Sequence, residues 1–161
     1  MLRQKIGVLI PCTSRNRNDW QDVRDTYLYK LSLVTFLLTH DKEHTYTIYI
    51  GYDAGDRIFD NVKSHDIISK SFPNVSFRFV KYENIKRGHL TRMWNILYQQ
   101  AFDDGCEYFY QCGDDISFTT RGWINDSIAT LKKNNDIGIT VPVNNNASMM
   151  TQVFFSRKHM D

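Results

Sequence analysis

Short apolar segments alternate with amphipathic ones along most of this 161-residue chain, and this alternation restricts the possible folds more than any other feature. The apolar segments are rich in β-branched and aromatic residues and end at turn residues, a pattern typical of β-strands. In chain order they are Lys5–Pro11, Tyr46–Gly51, Val75–Val80, the aromatic run from Glu107 to Gly113, Ile137–Val141 and Thr151–Phe155. Strands that alternate with helices predict a three-layer α/β/α domain with a mainly parallel central sheet.

The segments between these strands space their apolar residues as helices do. Asn18 with Gln21 predicts the start of a first helix, whose inward face would hold Trp20, Val23, Tyr27, Leu31, Val34 and Leu38. Further helices are predicted over about Arg57–Lys70, with Ile58, Val62, Ile67 and Ile68 inward, over Leu90–Phe102, over Trp123–Lys132 and from Ser156. Ile137–Val141 is expected to be a buried strand, because its apolar residues do not alternate with charged ones.

Length and composition limit the class of protein. A chain of 161 residues, 42% of them hydrophobic, can bury one core, so we expect a single domain over residues 1–161. The net charge of +2 is too small for the basic field of a dedicated nucleic-acid binder. The three cysteines lack zinc-site spacing, and no apolar run reaches the length of a membrane span. We therefore expect a cytoplasmic protein with reduced thiols, no membrane span and no nucleic-acid partner.

Polar side chains follow four of the predicted strands, at the point where each strand ends. The four polar segments are Cys12–Arg15, Tyr52–Asp53, Lys86–His89 and Asp114–Asp115. In parallel α/β sheets, ligands bind beyond the carboxyl ends of the strands. We therefore expect hydroxyl groups, cations and acids from distant parts of the chain to meet at one edge of the sheet.

Asp114 and Asp115 are adjacent acids at the end of the aromatic strand. Their charges repel each other, and a divalent cation lowers that cost; carboxylate oxygens suit Mg²⁺ or Mn²⁺. Such an ion, with arginine nearby, is suited to a diphosphate, because it bridges phosphate oxygens. Arg92 would add a guanidinium in the first turn of its helix, where phosphate groups bind readily. Asp53 could accept a hydrogen bond from a base or a ribose hydroxyl.

These residues also have ordinary structural interpretations. Gly-Asp-Asp is common turn chemistry after a strand, and Arg92 could be a solvated helix residue. Asp53 and Asp56 could end a strand and cap a helix. The joint placement of Thr13, Asp53, Arg92 and the acidic pair at one predicted edge favours a functional site.

The chain resembles the nucleotide-sugar-dependent glycosyltransferases of the GT-A fold over nearly its whole length. Pro11-Cys12-Thr13 is similar to the turn after their first strand, and Asp53 is similar to the acid after their second strand. Arg92 is similar to the arginine that opens their third helix. Gly113-Asp114-Asp115 resembles their DxD metal-binding motif, with glycine in place of the first acid.

This resemblance implies a Rossmann-like GT-A domain that transfers a hexose from a nucleotide diphosphate sugar, UDP-linked, to a hydroxyl of a glycan or glycoprotein. It implies that Asp115 binds Mn²⁺ or Mg²⁺ directly and that Asp114 faces the ribose or a metal-bound water, although these two roles could be reversed. The residues expected to contact the donor are Pro11, Cys12, Thr13, Arg15, Asp53, Arg92 and Asp114.

A narrower resemblance concerns two segments, residues 6–14 and 151–158, which look like the glycosyltransferase domains that chloroviruses use to build capsid-protein glycans. That likeness implies viral capsid glycosylation in the host cytoplasm. The GT-A family carries its acceptor site, and often its catalytic base, after the strand that here ends near Ser156. The chain to Asp161 is therefore expected to lack much of the acceptor part, and neither His159 nor Asp161 is assigned as a base.

Three other interpretations stay open. A nucleic-acid polymerase palm also has Gly-Asp-Asp after a strand, but it needs a further carboxylate motif and a longer chain. A catalytically silent nucleotide-sugar binding module would have the same site without turnover. A plain α/β interaction domain would bind neither the metal nor the nucleotide.

Overall fold

The computed structural model describes residues 2–86, 88–145 and 150–160. Six strands form one sheet: β1 (Lys5–Cys12), β2 (Thr45–Asp53), β3 (Ser76–Tyr82), β4 (Tyr108–Gln111), β5 (Ile139–Thr140) and β6 (Val153–Ser156). Their order across the sheet is β3-β2-β1-β4-β6-β5. The first four are parallel, and β6 runs antiparallel to both β4 and β5. The prediction of a mainly parallel sheet is confirmed.

Helices cover both faces of this sheet. A 3₁₀ turn (Val23–Asp25) precedes a π-helical segment (Leu28–Leu33), which continues as α1 (Val34–Thr39). The other helices are α2 (Val62–Ser71), α3 (Leu90–Asp103), α4 (Trp123–Lys133) and the short α5 (Arg157–Met160). The first segments, α2 and α4 pack on the sheet face that Ile6, Val8 and Ile10 present. Helix α3 packs on the other face, against Leu9, Tyr49 and Phe109.

Glycine permits close packing where α3 crosses the central strands. A Cβ at Gly51, in β2, would lie 1.9 Å from the Tyr82 hydroxyl oxygen and 3.0 Å from Leu97 Cδ2. Tyr82 donates a hydrogen bond to the Met93 carbonyl at 3.3 Å, which connects β3 to α3. The absence of a side chain at Gly51 therefore lets β3 and α3 meet over β2.

The first helical region differs from its prediction. The cap is Asp22, in reciprocal hydrogen bonds with the Val23–Asp25 turn, and Thr26 is extended, so the longer helix starts at Leu28 instead of near Asn18. Val34 and Leu38 were expected to face inward, but they are 39% and 62% exposed. The later start and the wider π-helical turn rotate the helix, so Leu28, Leu33 and Phe36 are buried instead.

Two other expectations about burial are wrong. Val62 is 76% exposed because it is the first residue of α2, after the Asn61 cap, and the preceding turn buries Ile58 and Phe59. The predicted strand Ile137–Val141 has only two paired residues, at the edge of the sheet, so Ile139 remains 48% exposed.

No helix in the described ranges is both long enough and apolar enough to cross a membrane. Arg87 and Asp161 lie outside these ranges.

Candidate functional site

The acidic turn after β4 is held in place by the first helical region. Ser32 Oγ lies 2.8 Å from the Asp114 carbonyl oxygen and 2.9 Å from that of Ile116, and it accepts a hydrogen bond from the Ile116 N–H at 3.2 Å. Thr35 Oγ1 accepts the Phe118 N–H at 3.0 Å. These bonds satisfy backbone groups in a segment without regular structure, so the turn has a defined shape.

The two carboxylates of this turn have different environments. Asp114 is partly buried with the Thr13 backbone N–H near its carboxylate, whereas Asp115 is exposed. Burial, and then the charge of Asp115, raise the pKa of Asp114 to about 6, while the Thr13 N–H and Arg17 act in the opposite direction. The fold therefore places a partly desolvated acid beside another acid. A cation bound there would relieve this unfavourable arrangement.

Gly113 allows Asp115 to lie close to the backbone of the turn. A Cβ at Gly113 would be 3.0 Å from Asp115 Oδ1, closer than side-chain atoms normally approach. An aspartate in this position, as in a regular DxD motif, would need the Asp115 carboxylate to move. A shift of a few tenths of an ångström at the end of the exposed Asp115 side chain would relieve this contact.

The loops after β1 and β2 are joined by Asp56. Its Oδ2 accepts the Ser14 N–H at 2.8 Å, and its Oδ1 lies 2.8 Å from Ser14 Oγ, which donates to it. Asp56 Oδ1 also accepts the N–H groups of Ile58 and Phe59 at 3.0 and 2.9 Å. Asp56 caps the turn that contains Ile58 and Phe59, whereas the helix α2 is capped by Asn61, so the helix-capping interpretation of Asp56 is wrong. Asp56 also holds two strand exits together.

Arg57 fixes the far end of the β1 loop. Its guanidinium donates to the Trp20 carbonyl at 2.8 Å and to the Arg17 carbonyl at 3.0 Å. The Arg17 guanidinium lies 5.3 Å from the ring centre of Trp20 and 5.0 Å from that of Tyr27. Aromatic contact of this kind favours a defined position for the Arg17 charge.

Two cavities adjoin these loops. The main cavity, of about 900 Å³, is lined by Pro11, Thr13, Leu31, Leu90, Trp94, Gly113, Asp114, Asp115, Ile116, Ser117, Thr119, Val143, Asn144, Asn145, Thr151 and Gln152. A smaller one, of about 230 Å³ and here called the β1–β2 cavity, is lined by Thr13, Ser14, Arg15, Asn16, Asn18, Asp53, Gly55, Asp56 and Arg57. Thr13 belongs to both, so the two spaces meet at the exit of β1.

The structure brings most of the predicted site residues together. Pro11, Thr13, Asp114 and Asp115 line the main cavity, and Arg15 and Asp53 line the β1–β2 cavity. Loops from distant parts of the chain meet here because their strands are parallel neighbours in the sheet.

Other residues of the predicted edge lie apart from these cavities. The Cys12 side chain is 6% exposed and points into the core, and burial raises the pKa of its thiol well above the usual value. Arg92 is exposed on α3 and lines neither cavity. Lys86 and His89, which precede α3, are also exposed and line neither cavity. His159 is on α5, which follows the end of β6 that pairs with Tyr108, at the opposite edge of the sheet from the acidic turn.

Several residues of this region have no clear signal in the sequence. Ser32 and Thr35 sit inside an amphipathic pattern, and only the folded chain shows that their hydroxyls bond to the acidic turn. Thr151 and Gln152 reach the main cavity because β6 is antiparallel to β4, which brings its start to the carboxyl end of β4. Their place depended on the pairing direction, which their sequence does not specify.

The donor set fits a hard divalent cation only together with a ligand. Among residues 2–86, 88–145 and 150–160, no group of three or more His, Cys, Asp or Glu is arranged to hold a metal ion. The two carboxylates of Asp114 and Asp115 are oxygen donors of the kind that Mg²⁺ and Mn²⁺ accept. These ions commonly complete their coordination with substrate phosphates and water, so the acidic pair suits a metal–diphosphate complex better than a bare ion.

Comparisons with known proteins place the fold. No protein-family model and no curated protein matches the chain. Among solved structures, the mannosyltransferase PcManGT from Pyrobaculum calidifontis, in complex with GDP-Man and Mn²⁺, superposes over 98% of this chain with a TM-score of 0.66 at 11% identity. A candidate nucleotide-diphospho-sugar transferase from Desulfovibrio desulfuricans G20 superposes over 99% with a TM-score of 0.56 at 14% identity.

A third solved structure with a similar fold is that of a synthase. The 4-diphosphocytidyl-2C-methyl-D-erythritol synthase from Anaerococcus prevotii superposes over 96% of this chain and 71% of its own length, with a TM-score of 0.56 at 16% identity. The chain spans 46% of PcManGT and 65% of the Desulfovibrio protein. At these identities the likeness concerns the fold alone: the chain has the α/β fold of nucleotide-diphospho-sugar transferases.

Proposed function

We propose that this chain binds a nucleotide diphosphate sugar at the carboxyl edge of its sheet and takes part in transfer of the sugar to a hydroxyl group. The observation that carries the proposal is the acidic pair on the wall of the main cavity. Asp114 and Asp115 face this space from the exit of β4, and Thr13, from the exit of β1, lines the same space.

The nucleoside part of the donor fits the β1–β2 cavity best. Asp53 offers a carboxylate that makes no hydrogen bond through its side chain within the described chain, and Arg15 and Asn16 offer donors at the same wall. A diphosphate leaving this cavity past Thr13 would reach the acidic pair, because Thr13 lines both spaces. This path assigns the base and ribose to the β1 and β2 loops and the diphosphate to the acidic turn.

Asp115, with Asp114 beside it, would hold Mn²⁺ or Mg²⁺. When bound, such an ion neutralises charge on the diphosphate as it leaves. The nearby Thr13 N–H favours the ionised form of Asp114, and a side chain at Gly113 would lie close to Asp115 Oδ1. In the transfer itself, the acceptor oxygen bonds to the anomeric carbon, the bond from that carbon to the diphosphate oxygen breaks, and the acceptor proton passes to a base. The electron pair of the broken bond leaves with the nucleoside diphosphate.

The finer details extend the resemblance seen in the sequence. We propose a hexosyl group as the transferred sugar, a glycan or glycoprotein as the acceptor, and capsid-protein glycosylation of the chlorovirus type as the setting. Uridine is the expected base, and guanosine is its main competitor because PcManGT was solved with GDP-Man. Donor contacts by Pro11, Cys12 and Arg92 belong to this proposal, with Cys12 limited to its backbone because its side chain is buried.

A binding module without turnover is the second candidate. Asp114 and Asp115 are the only titratable residues among the described residues that line the main cavity. If both are engaged with the metal, neither is free to take the acceptor proton. This observation favours binding without transfer by the described residues, with the base supplied by some other group.

Isothermal titration with UDP and with GDP, each with and without Mn²⁺, tests the proposal. We expect one nucleotide to bind at least about tenfold more tightly with Mn²⁺, and Asp115→Asn to remove that gain, which corresponds to ~1.4 kcal/mol. Asp19→Asn, an exposed acid outside both cavities, is the matched control. A flat titration for both nucleotides would contradict the proposal. Hydrolysis of a UDP- or GDP-sugar then separates the transferase from the silent module.

A further inference from the structure

A third cavity, with aromatic walls, adjoins the main cavity. Its volume is about 230 Å³, and it is lined by Tyr110, Ile116, Ser117, Phe118, Thr119, Thr120, Trp123, Pro142, Val143 and Gln152. Five of these residues, from Ile116 to Gln152, also line the main cavity, so the two spaces are continuous. This aromatic cavity and the β1–β2 cavity share no lining residue. They therefore join the main cavity at different walls.

The aromatic walls are held rigidly. Trp123 stacks on Phe118, with ring centres 5.5 Å apart and planes inclined by 23°, and its ring centre lies 4.7 Å from that of Tyr110. The Phe118 N–H is bonded to Thr35 Oγ1 in the first helical region. These contacts define the arrangement of the ring surfaces in the ligand-free chain.

Polar groups stand at the boundary between the aromatic cavity and the main cavity. The Tyr110 hydroxyl donates to Gln152 Oε1, and burial raises the pKa of Tyr110, so this phenol stays neutral. The bond sets the orientation of the Gln152 amide, and no described residue accepts a hydrogen bond from its Nε2 protons, which face a ligand in this cavity. The exposed hydroxyls of Ser117, Thr119 and Thr120 lie on the same cavity wall.

The chemistry of these walls selects one class of ligand. None of the described residues that line the aromatic cavity is charged, so it does not suit a phosphate or a carboxylate. A sugar ring offers apolar C–H faces to aromatic side chains and hydroxyls to amide and hydroxyl groups. We propose that the aromatic cavity is a carbohydrate subsite that holds a neutral pyranose ring of the acceptor. This inference rests on the proposed function, since it uses the acidic pair as the place where the donor sugar lies.

Ligand-observed saturation-transfer NMR tests the subsite. The probes are the methyl glycosides of β-glucose, β-galactose, α-mannose, β-xylose and α-fucose, each added with and without UDP and Mn²⁺. Thr120→Phe fills the cavity from an exposed position that lines neither of the other two cavities, and Gln152→Ala removes the amide. Thr130→Phe, on the exposed face of α4, makes the same change away from all three cavities. Thermal unfolding of each variant verifies that it is folded.

The expected result is a saturation-transfer signal for at least one methyl glycoside. Thr120→Phe and Gln152→Ala should each weaken binding of that glycoside about fivefold or more, and Thr130→Phe should leave it unchanged. UDP affinity should stay within about twofold in Thr120→Phe and Thr130→Phe, because neither position lines the main cavity or the β1–β2 cavity. A saturation-transfer signal that persists in Thr120→Phe, or the absence of a signal for every glycoside, would overturn the subsite. Nucleotide binding is read separately, so a protein that binds a sugar here but neither UDP nor GDP would retain the subsite and lose the proposed function.

Discussion

The folded chain places the Asp114 carboxyl group in an environment that disfavours its charged form. Burial and the adjacent Asp115 raise its pKa to about 6 from its usual 3.8. The folded state therefore binds this proton more tightly than the unfolded chain does. Its favourable contribution to stability is fully present below pH 3.8 and is lost as the pH rises through 6. Near neutral pH the site is destabilising in the absence of a cation, as is common where binding requires a strained arrangement of charge.

We predict that Asp114→Asn stabilises the ligand-free protein. Asparagine removes the buried charge and can accept a hydrogen bond from the nearby Thr13 N–H, so the free energy of unfolding at pH 8 should rise by ~1–3 kcal/mol. The gain should shrink as the pH falls to 4. Urea unfolding at both pH values measures it.

Two comparisons make this first prediction specific. Asp19→Asn, in the exposed loop after β1, should change stability little at either pH, because no buried charge is removed. Mn²⁺ added with the preferred nucleotide should reverse the order, so that the wild type becomes more stable than Asp114→Asn. Equal stability of wild type and Asp114→Asn at pH 8 would count against the account of Asp114.

The position of the acidic pair could be predicted from the sequence better than the positions of the arginines. The position of the acidic pair on a cavity wall was predictable, because both acids follow a strand that ends at the carboxyl edge of the sheet. The place of Arg92 depended on the rotation of the first turn of α3, where it is exposed and lines neither the main nor the β1–β2 cavity. Arg17, whose charge acts on Asp114, gave no signal because its position depends on contacts with Trp20 and Tyr27.

We predict that Arg15 contributes more to nucleotide affinity than Arg92 does in the conformation described. Arg15 lines the β1–β2 cavity, so Arg15→Ala should weaken nucleotide binding about five- to tenfold, or ~1–1.4 kcal/mol. Titration of Arg15→Ala and Arg92→Ala with the preferred nucleotide and Mn²⁺ compares them. A larger loss for Arg92→Ala would instead support the donor contact that the family resemblance implies.

At the scale of elements, the first helical region is the support of the acidic turn. Ser32, on its π-helical segment, contacts the backbone of Asp114 and Ile116, and Thr35 contacts that of Phe118. The same region buries Leu28, Leu33 and Phe36 against the sheet. Packing of this helix and the shape of the site are therefore coupled.

We predict that Ser32→Ala destabilises the protein and weakens metal-dependent nucleotide binding. The change leaves the Ile116 N–H without its acceptor, which should cost ~1–3 kcal/mol of unfolding free energy. Thr130→Ala is the control, because the Thr130 hydroxyl bonds only to the Asp126 carbonyl of its own helix. Chemical unfolding and nucleotide titration report the two effects. Full affinity for nucleotide and Mn²⁺ in Ser32→Ala would show that the turn keeps its shape without this bond.

The contact between β2, β3 and α3 gives a test of the fold. Gly51→Ala places a Cβ against the Tyr82 side chain, and we predict a loss of more than ~2 kcal/mol of unfolding free energy from the overpacking. Gly55→Ala is a suitable comparison, because a Cβ there meets no atom within 4 Å and only its positive φ is strained, which costs ~1–2 kcal/mol. A smaller effect at Gly51 than at Gly55 would contradict the packing of α3 over β2.

The positions of the strands and helices along the chain were more predictable than the side chains that each of them buries. β1 and β2 are nearly continuous apolar runs, because both faces of a central parallel strand are covered, and such runs stand out in a sequence. The rotation of the first helix was not predictable from Val34 and Leu38, because a π-helical turn shifts the spacing by which inward residues are recognised. Ile137 and Ile139 look like core residues in the sequence, yet only the pairing of β5 shows that they lie at the sheet edge.

At the scale of the whole molecule, the sheet order determines which loops can meet. β1 lies between β2 and β4, so the turn that carries Thr13 adjoins both Asp53 and Asp114. The alternation of strands and helices was enough to predict this edge, because parallel crossovers put the exits of β1, β2, β3 and β4 on one side. The bond between Asp56 and Ser14 could not be predicted, since it joins two loops through side chains whose orientation depends on the folded chain.

The site is modular at this scale. Three adjoining spaces, the β1–β2 cavity, the main cavity and the aromatic cavity, are lined in turn by polar loops, by the acidic pair and by aromatic rings. Nucleoside, diphosphate and acceptor sugar match these three walls in order. The chain spans 46% of PcManGT, and the donor site, the acceptor subsite and the reaction itself are proposals.

Anomalous diffraction from crystals soaked with Mn²⁺ and the preferred nucleoside diphosphate tests the central claim most directly. The account predicts one Mn²⁺ peak within coordinating distance of an Asp115 carboxylate oxygen, about 2.0–2.4 Å, with phosphate oxygens completing its shell. The base should lie in the cavity that Asp53 lines. Mn²⁺ bound away from Asp114 and Asp115, or a nucleotide seated outside the main and β1–β2 cavities, would contradict it.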